Sequence, residues 1–179
     1  SNSVYQSPAS LFAANYVNLA LECEVAVTMA FDLEANDKGV DRDTVFDAIE
    51  HLQLAFELVD IRQSTSENSL IQSIATNIHG AGVVLGQPIT NWRELDIPSA
   101  KCELKLDGVS VGTGQGSDVN GHPVEPMIWI AKTLNAMGGS LKKGDIVITG
   151  SMIPPIEVKP GMKAALQMDL LGEITLDVE

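Results

Sequence analysis

Residues 21–27 read "LECEVAV", and the fold turns on how this stretch is read. Leu19, Leu21, Cys23, Val25, Val27, Met29 and Phe31 put an apolar side chain at every second position. Such alternation predicts a half-buried β-strand rather than a helix. Glu22 and Glu24 then share the other face, with Cα atoms about 6.6 Å apart at a rise of about 3.3 Å per residue. Ala20, Ala26, Thr28 and Ala30 on that face are small, which predicts a shallow, uncrowded surface. Two like charges this close resist joint ionisation unless solvent or a cation relieves them.

An E-x-E pair by itself most often marks a solvated strand face. Glu57 changes the weighing, because it sits in a second short apolar run, "LAFELVD" at 54–60. Three carboxylates in strand contexts can converge on one hard divalent cation. An all-oxygen ligand set suits Mg²⁺, Mn²⁺ or Ca²⁺ rather than Zn²⁺.

The 179 residues carry a formal charge of −13 and are 45% hydrophobic, with a mean hydropathy of +0.12. That acidity argues against nucleic acid and anionic membrane surfaces as partners. No apolar run approaches the roughly 20 residues that a spanning helix needs. No charged segment precedes an apolar one at the start, so no signal peptide is read. Cys23 and Cys102 are the only cysteines, and Cys23 falls on the apolar face of its strand. The expectation is a reduced, cytoplasmic protein.

The rest of the chain reads as mixed α and β, as one domain over residues 1–179. "EANDKGVDRD" (34–43) is a polar turn. "DTVFDAIEHLQ" (43–53) predicts a helix with Asp43 as N-cap, Phe46 and Ile49 on one face and His51 at the surface. A loop at 62–68 and a helix at 69–77 follow, broken by "HGAG" (79–82) before a strand at 83–89. "SAKCELKLDGVSVGTGQG" (99–116) is a hairpin turning at Asp107-Gly108. "HPVEPMIWIAKTLNAMGG" (122–139) predicts a helix with Pro123 near its first turn and Gly138 past its end. Met127, Ile128, Ala131 and Leu134 form its buried stripe. Short strands punctuated by Gly and Pro close the chain, so the fold class is α+β.

The glycine-rich "GTGQGSDVNGHP" (112–123) lacks the lysine and the strand–helix context of a nucleotide loop. It reads as a surface turn or, functionally, as a backbone-lined pocket wall with Ser117 and Asp118 near a ligand. His79 and His122 read as structural before catalytic.

Taken together, "ECE", "FELVD", "GQGSDVNGHPVEPMIWIAKTL" (114–134) and "GDIVITGSMIPPIEVKPGM" (144–162) resemble the 2-keto-4-pentenoate hydratase and 4-oxalocrotonate decarboxylase family of the fumarylacetoacetate hydrolase superfamily. The resemblance runs from about Leu21 to the C-terminus. It implies a mixed β-sandwich roll with a few helices, and Mg²⁺ or Mn²⁺ held by Glu22, Glu24 and Glu57. It also implies a 2-oxo or 2-hydroxydienoic acid substrate, processed through a metal-stabilised enolate. Thr149 and Gly150 match a family segment near the substrate and Asn77 a family position beside the pocket; Gln115, Ser117 and Asp118 are the further candidate substrate-binding residues.

Departures are equally specific. The family has a longer segment before the E-x-E strand that supplies a catalytic lysine, whereas here 21 residues precede Glu22 and the first lysine is Lys38. Leu19-Ala20 replaces a Pro-Arg, Gln115 an arginine, and His79 a pocket serine, which makes His79 the candidate catalytic residue. The readings left open are a hydratase, a 2-oxo acid decarboxylase or C–C hydrolase on the same scaffold, and a catalytically silent homologue. The last would bind metal or keto acid, or assemble with a paralogue; homo-oligomerisation is the other expectation.

Overall fold

The computed structural model describes residues 3–34, 40–62 and 70–179. Residues 35–39 of the expected polar turn, residues 63–68 of the expected loop and Ser69 of the expected helix lie outside the described residues. Among the described residues the elements are β1 (Val4–Gln6), β2 (Ala9–Leu11), β3 (Leu19–Met29), α1 (Arg42–Asp47), β4 (Ile49–Asp60), α2 (Leu70–Ala75) and β5 (Gly80–Leu85). There follow β6 (Lys101–Leu106), β7 (Val109–Gln115), α3 (Glu125–Ala136), β8 (Ile146–Ile148), β9 (Ile153–Glu157), β10 (Lys163–Met168) and β11 (Gly172–Val178).

Two mixed sheets result. One has the order β1-β5-β4-β3-β8, with β9 also paired to β3; the other has the order β2-β11-β10-β6-β7. All pairings are antiparallel except β1 with β5 and β2 with β11. The apolar positions of β3 (Leu21, Cys23, Val25, Val27) meet Phe56 and Leu54 from β4 and Leu104, Leu166 and Leu176 from the second sheet in one core. The expected mixed sandwich of strands with few helices is therefore the fold.

Four local expectations are corrected. The face of β3 that carries the glutamates is not shallow and open: Ala20, Glu24, Ala26 and Thr28 are all buried. β8 and β9 pair with β3 edge to edge, and on this face Ala26 and Ala55 pack with Leu85, Val83 and Ile148. The expected helix at 43–53 is only the short α1, and Asp41, not Asp43, caps it by accepting from the Thr44 N–H at 2.8 Å. From Ile49 onward the chain is strand, because pairing with β3 (Met29 with Ile49, Thr28 with His51) outweighs the local helical pattern. His51 is thus a half-buried strand residue whose Nε2 lies 3.1 Å from Gln53 Oε1. In α3, Val124 is the N-cap and Pro126 the proline of the first turn; Met127 and Ala131 are buried while Ile128 and Leu134 are only half so. The sequence reading missed β1 and β2, which have three residues each and gain order from parallel pairing with distant strands.

The hairpin of β6 and β7 is as expected, with positive φ at Asp107 and Gly108. Its glycine run has a packing cause. A Cβ on Gly114 would lie 2.3 Å from the Met152 carbonyl oxygen, and one on Gly116 would lie 2.0 Å from that of Ile97. The backbone approaches these neighbours more closely than any side chain allows. Gly114→Ala is expected to destabilise by about 1–3 kcal/mol through overpacking, lowering Tm by roughly 2–12 °C at this chain length. Thr113→Ala, at an exposed position, is expected to stay within about 0.5 kcal/mol of wild type. Thermal and urea melts of the two variants check this.

Candidate metal and substrate site

The β3–β4 register places Glu22 directly opposite Glu57, and Glu24 opposite Ala55. Directly opposed residues have Cβ atoms about 4.5–5.5 Å apart on one face. Glu24 lies two residues along on the same face. The result is one carboxylate oxygen each from Glu22, Glu24 and Glu57, all within 4.8 Å of one another.

The connection between β8 and β9 closes the Glu24 side. It stays bonded to β3 through the Thr149 N–H to Val25 O (3.2 Å) and the Met152 N–H to Cys23 O (2.8 Å). Between these anchors the Gly150 N–H donates to Glu24 Oε2 at 2.6 Å. Gly150 has φ +128°, in the region that favours glycine, and a Cβ there would meet Val119 Cγ1 at 3.3 Å. The Thr149 hydroxyl donates to Val25 O at 3.0 Å. Thr149 and Gly150 therefore fix the strand and Glu24, and both donors are already engaged.

Electrostatics follow from crowding. Burial raises the Glu24 carboxyl to about 7; the Gly150 N–H opposes this, and Glu57 and Glu22 add to it. Burial, then the Glu22 charge, raises Glu57 to about 7. Burial raises Glu22 as well. The set fits a divalent ion: the donors are all carboxylate oxygens, and bonds of about 2.0–2.6 Å to one hard cation put ligand atoms at most about 5 Å apart.

Glu57 also lines a cleft of about 540 Å³ together with Arg62, Asn77, Val83, Ile146 and Ile148. Asn77 and Glu57 both flank Gly80: a Cβ there would lie 3.3 Å from Asn77 Nδ2 and 3.4 Å from Glu57 Oε1. His79 is not part of this lining; its Nδ1 lies 3.4 Å from Thr76 Oγ1. Gln115 and Asp118 line a different cleft, with Lys101, Cys102 and Thr113, and the Gln115 N–H donates to Asp118 Oδ2 at 2.8 Å. Ser117 belongs to the same short turn and lines neither. Val119, two residues on, packs behind Gly150. Sequence reasoning missed Arg62, Ile146 and Ile148. Only the turn after β4 and the β3–β8 pairing bring them to Glu57, and neither has a local sequence signal.

The raised carboxyls fix the sign of a pH effect. Glu24 and Glu57 bind protons more tightly folded (about 7) than at their ordinary 4.5, so their contribution is fully present below about pH 4.5. It is lost as pH rises through about 7. His122, whose proton affinity burial lowers, contributes with the opposite sign, and comparison with a variant cancels it. In EDTA, the Tm of Glu24→Gln relative to wild type is expected to rise between pH 5 and pH 8. Calorimetric melts at both pH values check it; a difference that does not change would contradict the buried cluster.

Residues 2–179 match the family model described as fumarylacetoacetate (FAA) hydrolase C-terminal. The chain is 30% identical over 167 residues to a 2-hydroxyhexa-2,4-dienoate hydratase of Comamonas testosteroni, which covers 93% of this chain and 62% of that protein. It is 29% identical over 161 residues to a 2-keto-4-pentenoate hydratase of Burkholderia vietnamiensis, covering 90% and 61%. It thus spans about three fifths of the length of these relatives. The structure of 4-oxalocrotonate decarboxylase from Pseudomonas putida G7, complexed with magnesium and adipate, has the same fold with a TM-score of 0.89. That match has 20% identity over 99% of this chain and 66% of the other. A fumarylpyruvate hydrolase from Pseudomonas aeruginosa, in complex with Mn²⁺ and pyruvate, matches at a TM-score of 0.72 and 14% identity over 98% and 73%. With the model matched over residues 2–179, the chain belongs to the fumarylacetoacetate hydrolase C-terminal family.

Proposed function

We propose that this chain carries the metal and substrate site of a divalent-cation-dependent lyase acting on a 2-oxo or 2-hydroxydienoic acid. The observation that supports the reading is the triad itself: three carboxylate oxygens within 4.8 Å, beside a cleft that Glu57 shares with Arg62 and Asn77. Mg²⁺ or Mn²⁺ is the proposed cofactor. When bound, such an ion supplies Lewis-acid charge to the 2-oxo acid end of a substrate.

The chain's own residues divide the remaining work. Glu22, Glu24 and Glu57 would hold the cation, with Glu57 at the cleft. Gly150 keeps one Glu24 oxygen engaged, so that the other is left to the ion. Val83, Ile146 and Ile148 give the cleft an apolar side for a substrate's carbon chain. Asn77 offers an amide next to Glu57. The relatives named as hydratases and the decarboxylase of the same fold support this substrate class.

One observation favours decarboxylation within that class. The ionisable side chains of the described lining are Glu57 and Arg62. Water addition requires a group that delivers and removes protons, and neither a metal-ligating glutamate nor an arginine suits that role. Loss of CO₂ from a carboxylate β or vinylogous to the 2-oxo group leaves the C–C electron pair in an enolate, which needs only one proton from solvent.

Saturating Mn²⁺ or Mg²⁺ at about a hundredfold excess over Kd is expected to stabilise the fold by about 2.7 kcal/mol, raising Tm by on the order of 5–10 °C. EDTA should reverse the rise, and Glu22→Gln or Glu57→Gln should remove most of it. The activity test presents the Mn²⁺-loaded protein with 2-hydroxypentadienoate and with a 2-oxo diacid, following hydration by absorbance and decarboxylation by CO₂ release. A melting curve indifferent to millimolar Mn²⁺, Mg²⁺ and Ca²⁺ would sink the proposal.

A further inference from the structure

The Gly150 N–H meets Glu24 Oε2 at 2.6 Å, yet glycine is the residue least able to hold its own conformation. At φ +128° nothing intrinsic to Gly150 keeps its N–H on the carboxylate. Its neighbours in the chain are anchored, Thr149 through its N–H to Val25 O and Met152 through its N–H to Cys23 O. At Gly150 itself a single side chain stands where a Cβ would point. Val119 Cγ1 lies 3.3 Å from that position and, chain neighbours aside, is the only heavy atom of the described residues within 4 Å of it.

Val119 is placed to act as a stop. It is 5% exposed, and the turn that carries it is tied on both sides. The Gln115 N–H donates to Asp118 Oδ2 at 2.8 Å, the Gly116 N–H to Ala100 O at 2.9 Å and the His122 N–H to Val119 O at 2.9 Å. Gly116 also sits too close to Ile97 O for any side chain to fit between them. These ties keep the turn from following Gly150 should that residue shift. Truncating Val119 to alanine removes the atom that abuts Gly150 and leaves space, into which surrounding structure partly relaxes.

We propose that Val119 is a positioning residue for the metal site: it abuts Gly150, holds the Gly150 N–H on Glu24, and so keeps the Glu24 carboxylate grouped with those of Glu22 and Glu57. The inference rests on the reading of the three glutamates as cation ligands. It gives the glycine-rich turn a part in the site without any contact to cation or substrate.

Amide hydrogen exchange of the metal-free protein, followed by NMR, and calorimetric titration with Mn²⁺ test it. In V119A the Gly150 amide is expected to exchange about tenfold faster, relative to the Met152 amide, than in wild type, the scale of losing a hydrogen bond to a charged group. Mn²⁺ affinity should fall about tenfold, the lower end of what losing a ligand's hydrogen-bond partner costs. V119T keeps the branched shape against Gly150 while burying a hydroxyl. It should lower Tm in EDTA yet bind Mn²⁺ within about twofold of wild type. Val45 is fully buried on α1, ahead of β4, whereas Glu57 lies near that strand's other end. V45A makes the same deletion there and should lower Tm while leaving Mn²⁺ affinity within about twofold, as expected of a distant site. Either measurement unchanged in V119A would overturn the proposal. So would an equal loss of Mn²⁺ affinity in V45A, which would reduce the V119A effect to lost stability. If wild type itself binds no Mn²⁺, the cation reading fails instead, and the Gly150 exchange ratio alone decides whether Val119 holds the contact.

Discussion

Three carboxylate oxygens held within 4.8 Å of one another, in a sheet face largely closed to water, are the constraint on which the rest of this structure depends. Left to themselves, Glu22, Glu24 and Glu57 would turn apart, since burial and mutual repulsion both disfavour their charged forms. The backbone prevents this. The β3–β4 register makes Glu22 and Glu57 opposite neighbours over a long ladder, so separating them would require shifting an eleven-residue strand. Register shifts by one residue move every side chain to the other face, and here that would put Leu21, Cys23 and Val25 where the glutamates are. Core packing on one face thus holds the charge cluster together on the other.

The second face is built from what is missing as much as from what is present. Ala26 and Ala55 pack with Leu85, Val83 and Ile148 on this face. The connection between β8 and β9 follows the edge of β3 and brings the Gly150 N–H to Glu24. The glycines of β7 play a comparable part on the second sheet, where Gly114 lets the Met152 carbonyl approach, and Met152 is in turn bonded to Cys23. A line of close backbone contacts therefore runs from β7 through the 149–152 connection to β3. It gives the glycines of this stretch a packing reason.

Part of the site was legible in the sequence, because carboxylates interrupting apolar alternation are conspicuous. Glu22 and Glu24 stand out in "LECEVAV", and Glu57 in "LAFELVD". The Asp107-Gly108 hairpin and the Gly138 helix stop were legible for a similar reason: the local backbone conformation demands those residue types. Residues 43–53 misled, because an apolar spacing over so short a window fits a helix as well as a strand, and pairing with β3 decided between them. His79 and Gln115 stand apart from this group: the lining of the carboxylate cleft contains neither.

By itself the sequence determined a strand-rich mixed fold, one face of β3 for the core, and the identity of the three carboxylates. All of these are properties of local pattern: period-two alternation, turn chemistry and residue type. Only the tertiary structure decided that Glu22 faces Glu57, that Glu24 is buried under Gly150, and that Arg62, Asn77, Ile146 and Ile148 share a cleft with Glu57. Those facts depend on strand register and on where the chain turns after Asp60 and after Ile148. Long-range pairing fixes both, as between Gly150 and Glu24, 126 positions apart, and nothing in the local sequence encodes that separation.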